Sequence, residues 1–223
     1  MSRRTLSFVA SALLGLLGCT RSDAPPEQTL FGGSAPLVGV AAWTQGPKDA
    51  PVVVEEYTDL ECPFCARQEL AHGDSLRAGL ASRGDVRLVV YDLALPAHTH
   101  AATAALATRC AGEQGAYLRV RHLLSDLREQ WARDGADSTL AYMAGTVVPS
   151  PTRLGVCLVE RRAEALRALA ANLERARSIG VDATPTLVVR VAGEVVHLSG
   201  ITPPDSVLAL IERMRSAYTA KRR

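Results

Sequence analysis

Aromatic residues make up only 4% of the 223-residue chain, and the two tryptophans, Trp43 and Trp131, are too few for a base-stacking platform. An excess of either charge is missing as well. The 25 Lys and Arg nearly balance the 23 Asp and Glu, leaving +2, and no basic stripe is interleaved with aromatics, which argues against nucleic-acid binding. No internal repeat occurs, and no biased segment beyond residues 21–36, so a solenoid or array is excluded. No apolar run is long enough to cross a bilayer as a permanent helix. Cysteine is sparse: Cys19, Cys62, Cys65, Cys110 and Cys157. With 48% apolar residues, the chain can bury a sizeable core without metals or many crosslinks. Its length suits one domain, or one carrying an insertion.

The first 19 residues read as an export signal. Arg3 and Arg4 form a positive start, and Leu6 to Leu17 is a short apolar stretch. It ends in Leu16-Leu17-Gly18-Cys19, which resembles the bacterial lipobox; the alternative is an ordinary secretory leader. The resemblance implies a lipoprotein signal peptide over 1–18, acylation of Cys19, and a lipidated tether over 19–36, rich in Ser, Pro, Gly, Asp and Glu. Loss of Arg3 and Arg4 takes the net charge to zero. Export places the chain where disulfides form and persist.

Beyond the tether, Val52 to Tyr57 is a β-branched run bounded by Pro51 and reads as a buried strand. It leads through Thr58-Asp59-Leu60-Glu61 into Cys62-Pro63-Phe64-Cys65. Phe64, Leu70, Leu76 and Leu80 then follow at helical spacing, with Pro63 in the first turn, where its missing N–H costs nothing. Asp85 to Tyr91 is a second strand, and the β–α–β order implies a parallel pair with a right-handed crossover. Helical patterns follow over 101–111, 116–133, 138–145 and 160–178, broken by glycines and by Pro149-Ser150-Pro151. Strands return at 186–191 and 194–198 around a turn at Ala192-Gly193. A last amphipathic helix covers 204–217, with Val207, Leu208, Leu210, Ile211 and Met214 on its apolar face. The fold class is α/β: a thioredoxin fold in two parts, 37–98 and 180–218, around a helical insertion over 99–179. Residues 219–223 form a basic tail.

Two cysteines at i and i+3 at a helix start can close a tight disulfide. The helix's unpaired N–H groups and positive end stabilise a thiolate on Cys62, while Cys65, one turn in, is more buried and acts as the resolving thiol. The alternatives are half a zinc site or a structural crosslink. Zinc needs a second pair at close spacing, and Cys110 and Cys157 stand apart from each other and from the CPFC.

Val53 to Cys65 resembles the active-site strand and turn of the DsbA-like thioredoxin-fold oxidoreductases, closest to the BdbD-like branch. The stretches 98–105, 110–115 and Ile179 to Thr186 resemble it too, so the likeness covers about residues 37–217. It implies a cis peptide bond at Pro185, with Thr184, Pro185, Pro63 and Phe64 contacting an extended substrate strand. It also makes Glu56 the buried acid beneath the site, where burial disfavours the charged form and a proton could pass to or from Cys65. From the residues alone Glu56 could face water, or Glu55 could be the inward one. The resemblance further implies pairing of Cys110 with Cys157; two buried free thiols are the alternative. The dipeptide departs from the family's strongest oxidant, which carries Pro-His; Phe64 supplies no charge.

These readings imply a thiol–disulfide oxidoreductase of the bacterial cell envelope, lipid-anchored, facing the periplasm and monomeric. Its expected partners are exported proteins with Cys thiols and a membrane redox partner. The main expectation is introduction of disulfides; reduction or isomerisation through the same couple, and a non-catalytic chaperone or metal carrier, are the rivals. No cofactor and no metal is expected. His98 and His100 lie in a loop entering a helix, and His72, His122 and His197 are isolated.

Overall fold

A computed structural model describes residues 39–134 and 137–222. The expected leader, the tether with Cys19, residues 37–38 and Arg223 lie outside the described residues. Among the described residues five strands form one sheet: β1 (Trp43–Gln45), β2 (Val52–Thr58), β3 (Val86–Asp92), β4 (Thr186–Val191) and β5 (Glu194–Ser199). Their order is β1-β3-β2-β4-β5. β2 and β3 pair in parallel, and the other neighbours are antiparallel.

Between β2 and β3 run α1 (Pro63–Gln68), a π turn (Glu69–Gly73) and α2 (Asp74–Ala81). The insertion follows as α3 (Ala101–Gly112), α4 (Tyr117–Asp126), α5 (Arg128–Asp134), α6 (Asp137–Gly145), α7 (Pro151–Glu160) and α8 (Arg162–Ser178). The chain closes with α9 (Pro204–Lys221).

Alternation along β2 sends Val52, Val54 and Glu56 to one face and Val53, Glu55 and Tyr57 to the other. Val52 and Val54 pack with Leu76 and Leu80 of α2 and with Val207 and Ile211 of α9. Tyr57 packs with Ala176 of α8 and with Val181. A third core lies in the insertion, around Leu106, Leu124, Trp131, Leu140 and Leu154, and it takes in Leu60 of the loop before the CPFC. That residue joins the two parts of the molecule at the site.

Local differences from the sequence reading have physical causes. The helix expected over 116–133 breaks at Leu127, where the indole N–H of Trp131 donates to the Leu124 carbonyl at 2.7 Å and satisfies one of the acceptors a helix end leaves open. The Pro149-Ser150-Pro151 break is also a start signal: the Ser150 hydroxyl accepts from the Arg153 N–H and Pro151 takes the first helical position, which begins α7. β1 is only three residues long, too short to show a period. Next to it, Gly46 has φ +90°, and a Cβ there would lie 2.1 Å from the Val86 carbonyl oxygen, so only glycine lets the chain pass. The expected basic tail is mostly the last turn of α9, and Lys221 pairs with Glu194 at 2.7 Å. The Ala192-Gly193 turn has φ of 50° and 88°, as a tight hairpin between twisted strands requires.

Cys110 of α3 and Cys157 of α7 form a disulfide in the structure, 47 residues apart. On the chain-entropy account, a loop of that length constrains the unfolded chain by about 4 kcal/mol. Replacing both cysteines by alanine is therefore expected to lower the free energy of unfolding by up to about that amount, measured by urea denaturation. Unchanged stability would show that the crosslink constrains nothing.

Candidate active site

The strand β2 ends at Thr58, and the next four residues turn the chain into α1. Asp59 holds this turn. Its side chain is fully buried, with Oδ1 accepting from the Glu61 N–H at 2.8 Å and Oδ2 accepting from the Leu95 N–H at 2.8 Å. Oδ2 also lies 2.9 Å from Nδ1 of His98. The Asp59 backbone holds both cysteines: its N–H points at Cys65 Sγ at 3.4 Å and its carbonyl accepts from the Cys62 N–H at 3.0 Å. Burial raises the pKa of Asp59 against these donors. Glu61 adds a second tie, accepting from the His100 N–H at 2.6 Å.

Cys62 is the N-cap residue of α1, in extended conformation, and Pro63 occupies the first turn. Both cysteines are free thiols and both are buried. As a thiol, Cys62 donates to the Thr184 carbonyl at 3.5 Å. The buried Thr184 hydroxyl has no partner among the described residues, so it is available to turn toward a thiolate. The Cys62 pKa is lowered to about 5. The hydrogen bond from the Cys65 thiol is the largest cause; Thr184 and the N–H groups of Cys65 and Phe64 add to it and outweigh burial. Cys65 moves the other way, pushed well up by burial and then by its neighbour Cys62. One sulfur of the pair therefore carries charge readily and the other keeps its proton.

The Thr184–Pro185 peptide bond is cis, and Pro185 accepts from the Gly200 N–H at 2.8 Å. Phe64 is half exposed beside the pair, with the Arg67 guanidinium 4.6 Å above its ring. The structure thus brings Cys62, Pro63, Phe64, Cys65, Thr184 and Pro185 to one place. Cys110 and Cys157 lie apart from it, in the insertion.

Glu55 and Glu56 are both buried, on opposite faces of β2. Glu56 is an ion-paired carboxylate rather than a lone acid in apolar surroundings: it pairs with Arg121 of α4. Arg121 also reaches Glu69 of the π turn at 2.9 Å, and Glu69 takes a bidentate contact from Arg77 at 2.8 and 3.0 Å. Next to this group Asp92 meets Arg109 at 3.2 Å and accepts from the Tyr117 hydroxyl at 3.0 Å. On the other face Glu55 pairs with Arg175 and Arg190 and accepts from Tyr57. Sequence reasoning missed Asp59, Arg121 and Glu69. Asp59 stands next to the motif, but nothing local marks its role, and nothing local marks Arg121. Among the described residues no group of three or more His, Cys, Asp or Glu could hold a metal ion.

The sequence profile of the family described as "Thioredoxin" matches residues 40–212. Among solved structures, DsbA2 of Pseudomonas aeruginosa is 26% identical, with a TM-score of 0.56, over 79% of this chain and 96% of that one. BdbD of Bacillus subtilis is 19% identical, with a TM-score of 0.60, over 76% and 90%. DsbA of Chlamydia trachomatis is 18% identical, with a TM-score of 0.65, over 84% and 98%. Among curated proteins the chain is similar to Na(+)/H(+) antiporters NhaA. One from Salinispora arenicola is 41% identical over 81 residues, 36% of this chain and 12% of the antiporter. Another, from Mycolicibacterium vanbaalenii, is 30% identical over 169 residues, 74% of this chain and 26% of the antiporter. The chain thus spans only a minor part of these relatives' length. Among the described residues no helix is long and apolar enough to cross a membrane. The profile match over most of the chain, with a sheet interrupted by a helical domain behind the CPFC, makes this chain a member of the thioredoxin family in its DsbA-like form.

Proposed function

We propose that this protein is a thiol–disulfide oxidoreductase of the bacterial cell envelope that introduces disulfides into exported proteins. The observation that carries this reading is the opposed behaviour of the two sulfurs, Cys62 lowered and Cys65 raised. A stabilised Cys62 thiolate is a good leaving group and favours the reduced form of the pair, which makes the disulfide form an oxidant.

In the oxidising direction a substrate thiolate attacks Cys62 Sγ, the Cys62–Cys65 bond breaks, and its electron pair goes to Cys65, which takes up a proton. A second substrate thiolate then attacks the substrate sulfur of the mixed disulfide. Cys62 leaves as thiolate, and the substrate has lost two electrons and two protons. A membrane redox partner would reoxidise the dithiol. The backbone at Thr184 and Pro185, with Pro63 and Phe64, would align the substrate strand. Glu56, held by Arg121, would support the floor of the site. Reduction or isomerisation runs the same steps from the dithiol; the uncharged Phe64 favours this second reading over the strongest form of the first. The lipobox-like residues before Cys19 support a lipid anchor facing the periplasm. A chaperone or metal carrier would have no use for two sulfurs of opposite character.

Cys62→Ser is expected to bring dithiothreitol-driven insulin reduction down to the uncatalysed rate, and Cys65→Ser to accumulate mixed disulfides with substrate, seen on non-reducing gels. Full activity of the Cys62→Ser variant would remove the enzyme reading.

The Cys62 thiolate should also appear in the pH dependence of stability. Its folded pKa, about 5, lies below the unfolded value of about 8.5. The stabilisation is therefore complete above the unfolded value and lost as pH falls through 5. The oxidised protein lacks this group. The melting temperature of the reduced form is expected to rise relative to the oxidised form between pH 4 and pH 8, with thiolate absorbance at 240 nm showing a midpoint near 5. A difference that stays flat over that range would contradict the lowered Cys62.

A further inference from the structure

A cleft of about 660 Å³ opens beside the redox pair. It begins at Pro63 and runs between α1 and the junction of α4 and α5. Arg67 and Leu70 stand on the first wall; Asp126, Arg128 and Glu129 stand on the second. The π turn sets the first wall, sending Glu69 inward to Arg77 and Arg121 and leaving Leu70 exposed.

Two cations in this cleft have no carboxylate partner among the described residues. Arg67 stacks on Phe64, the exposed residue between the two cysteines. Arg128 has a buried Nε–H with no acceptor among the described residues. A buried donor left without an acceptor costs free energy, and that cost disappears when a ligand supplies one. The two acids of the second wall confine where an anion is welcome. Arg133 lines the cleft as well, but a carboxylate is favoured where it reaches Arg67 and Arg128, which have no carboxylate partner among the described residues, and a cation there is repelled.

We infer that this cleft recognises an acidic side chain of the client segment, within a few residues of the cysteine reacting at Cys62. Ala66, Leu70 and the stem of Arg67 provide apolar cover, and the two guanidinium groups provide the charge. Arg67 and Arg128 are thus specificity residues for the exchange at the CPFC, and the inference rests on the oxidoreductase reading above.

The test uses the full protein and three cyclic disulfide peptides that differ at one position, two residues from a cysteine: Glu, Gln or Lys. Their dithiothreitol-driven reduction is followed by mass spectrometry, with the uncatalysed rate subtracted. The Glu peptide is expected to show a kcat/KM roughly three- to fivefold above the Gln peptide, with the Lys peptide slowest, as an exposed charge pair supports. The preference should fade in about 0.5 M salt and collapse toward one in Arg67→Gln/Arg128→Gln. Arg67→Gln alone, at an exposed position, should lose part of it, so the outcome does not hang on the buried Nε of Arg128. Equal rates for the three peptides, or a preference that survives the arginine replacements, would overturn the inference and leave the enzyme reading standing, because the Gln peptide is still reduced. If none of the three is reduced above background, both fall.

Discussion

One guanidinium holds the molecule together at its functional end. Arg121, fully buried on α4, stands between Glu56 on the central strand and Glu69 in the π turn behind the cysteines. It therefore joins sheet, active-site helix and insertion at a single point. Charges buried this way are costly to desolvate, and they hold only if every partner is present; taking one away leaves a bare charge in the interior, at about 3–5 kcal/mol. Arg77 completes the arrangement by covering the remaining side of Glu69. The result is a floor whose parts cannot shift independently, which is what a pair of sulfurs tuned in opposite directions requires.

The insertion reaches both faces of the sheet. Adjacent residues Glu55 and Glu56 point to opposite sides, and each meets an arginine from a different insertion helix, Arg175 of α8 on one face and Arg121 of α4 on the other. A strand with two consecutive buried carboxylates would be a poor strand alone. It becomes a good one because the inserted helices deliver the opposing charges, so that the sheet is clamped by the domain that interrupts it.

This explains which features could be read from the sequence. The CPFC and the β-branched run before it are local signals, and local chemistry was enough to place them; the Thr-Pro before β4 was placed at the site by the family resemblance. The insertion was legible as a block of helical patterns. Asp59 was not, because its role comes from residues 36 and 39 positions away, Leu95 and His98. Arg121 was not, because its partner Glu56 lies 65 positions away and its own helix shows only an ordinary basic residue. The split at Leu127 depends on where the Trp131 indole finds a carbonyl, which spacing alone does not say. Glu56 was expected as a buried acid from the family resemblance, while the residues alone left Glu55 as the alternative; both are buried, and neither ionic partner could be inferred from β2.

The π turn ties these parts together in one further respect. Its wider winding retards the helix by some tens of degrees over five residues compared with regular α geometry. α1 leans on α4 of the insertion, while α2 leans on α9 and β3 of the sheet. A single continuous helix thus serves two neighbours that lie in different directions, and the turn is the gear that changes the angle between them. Helix length is usually forgiving in evolution; here the count of residues between Cys65 and Leu76 is a phase setting, as constrained as the identity of any side chain.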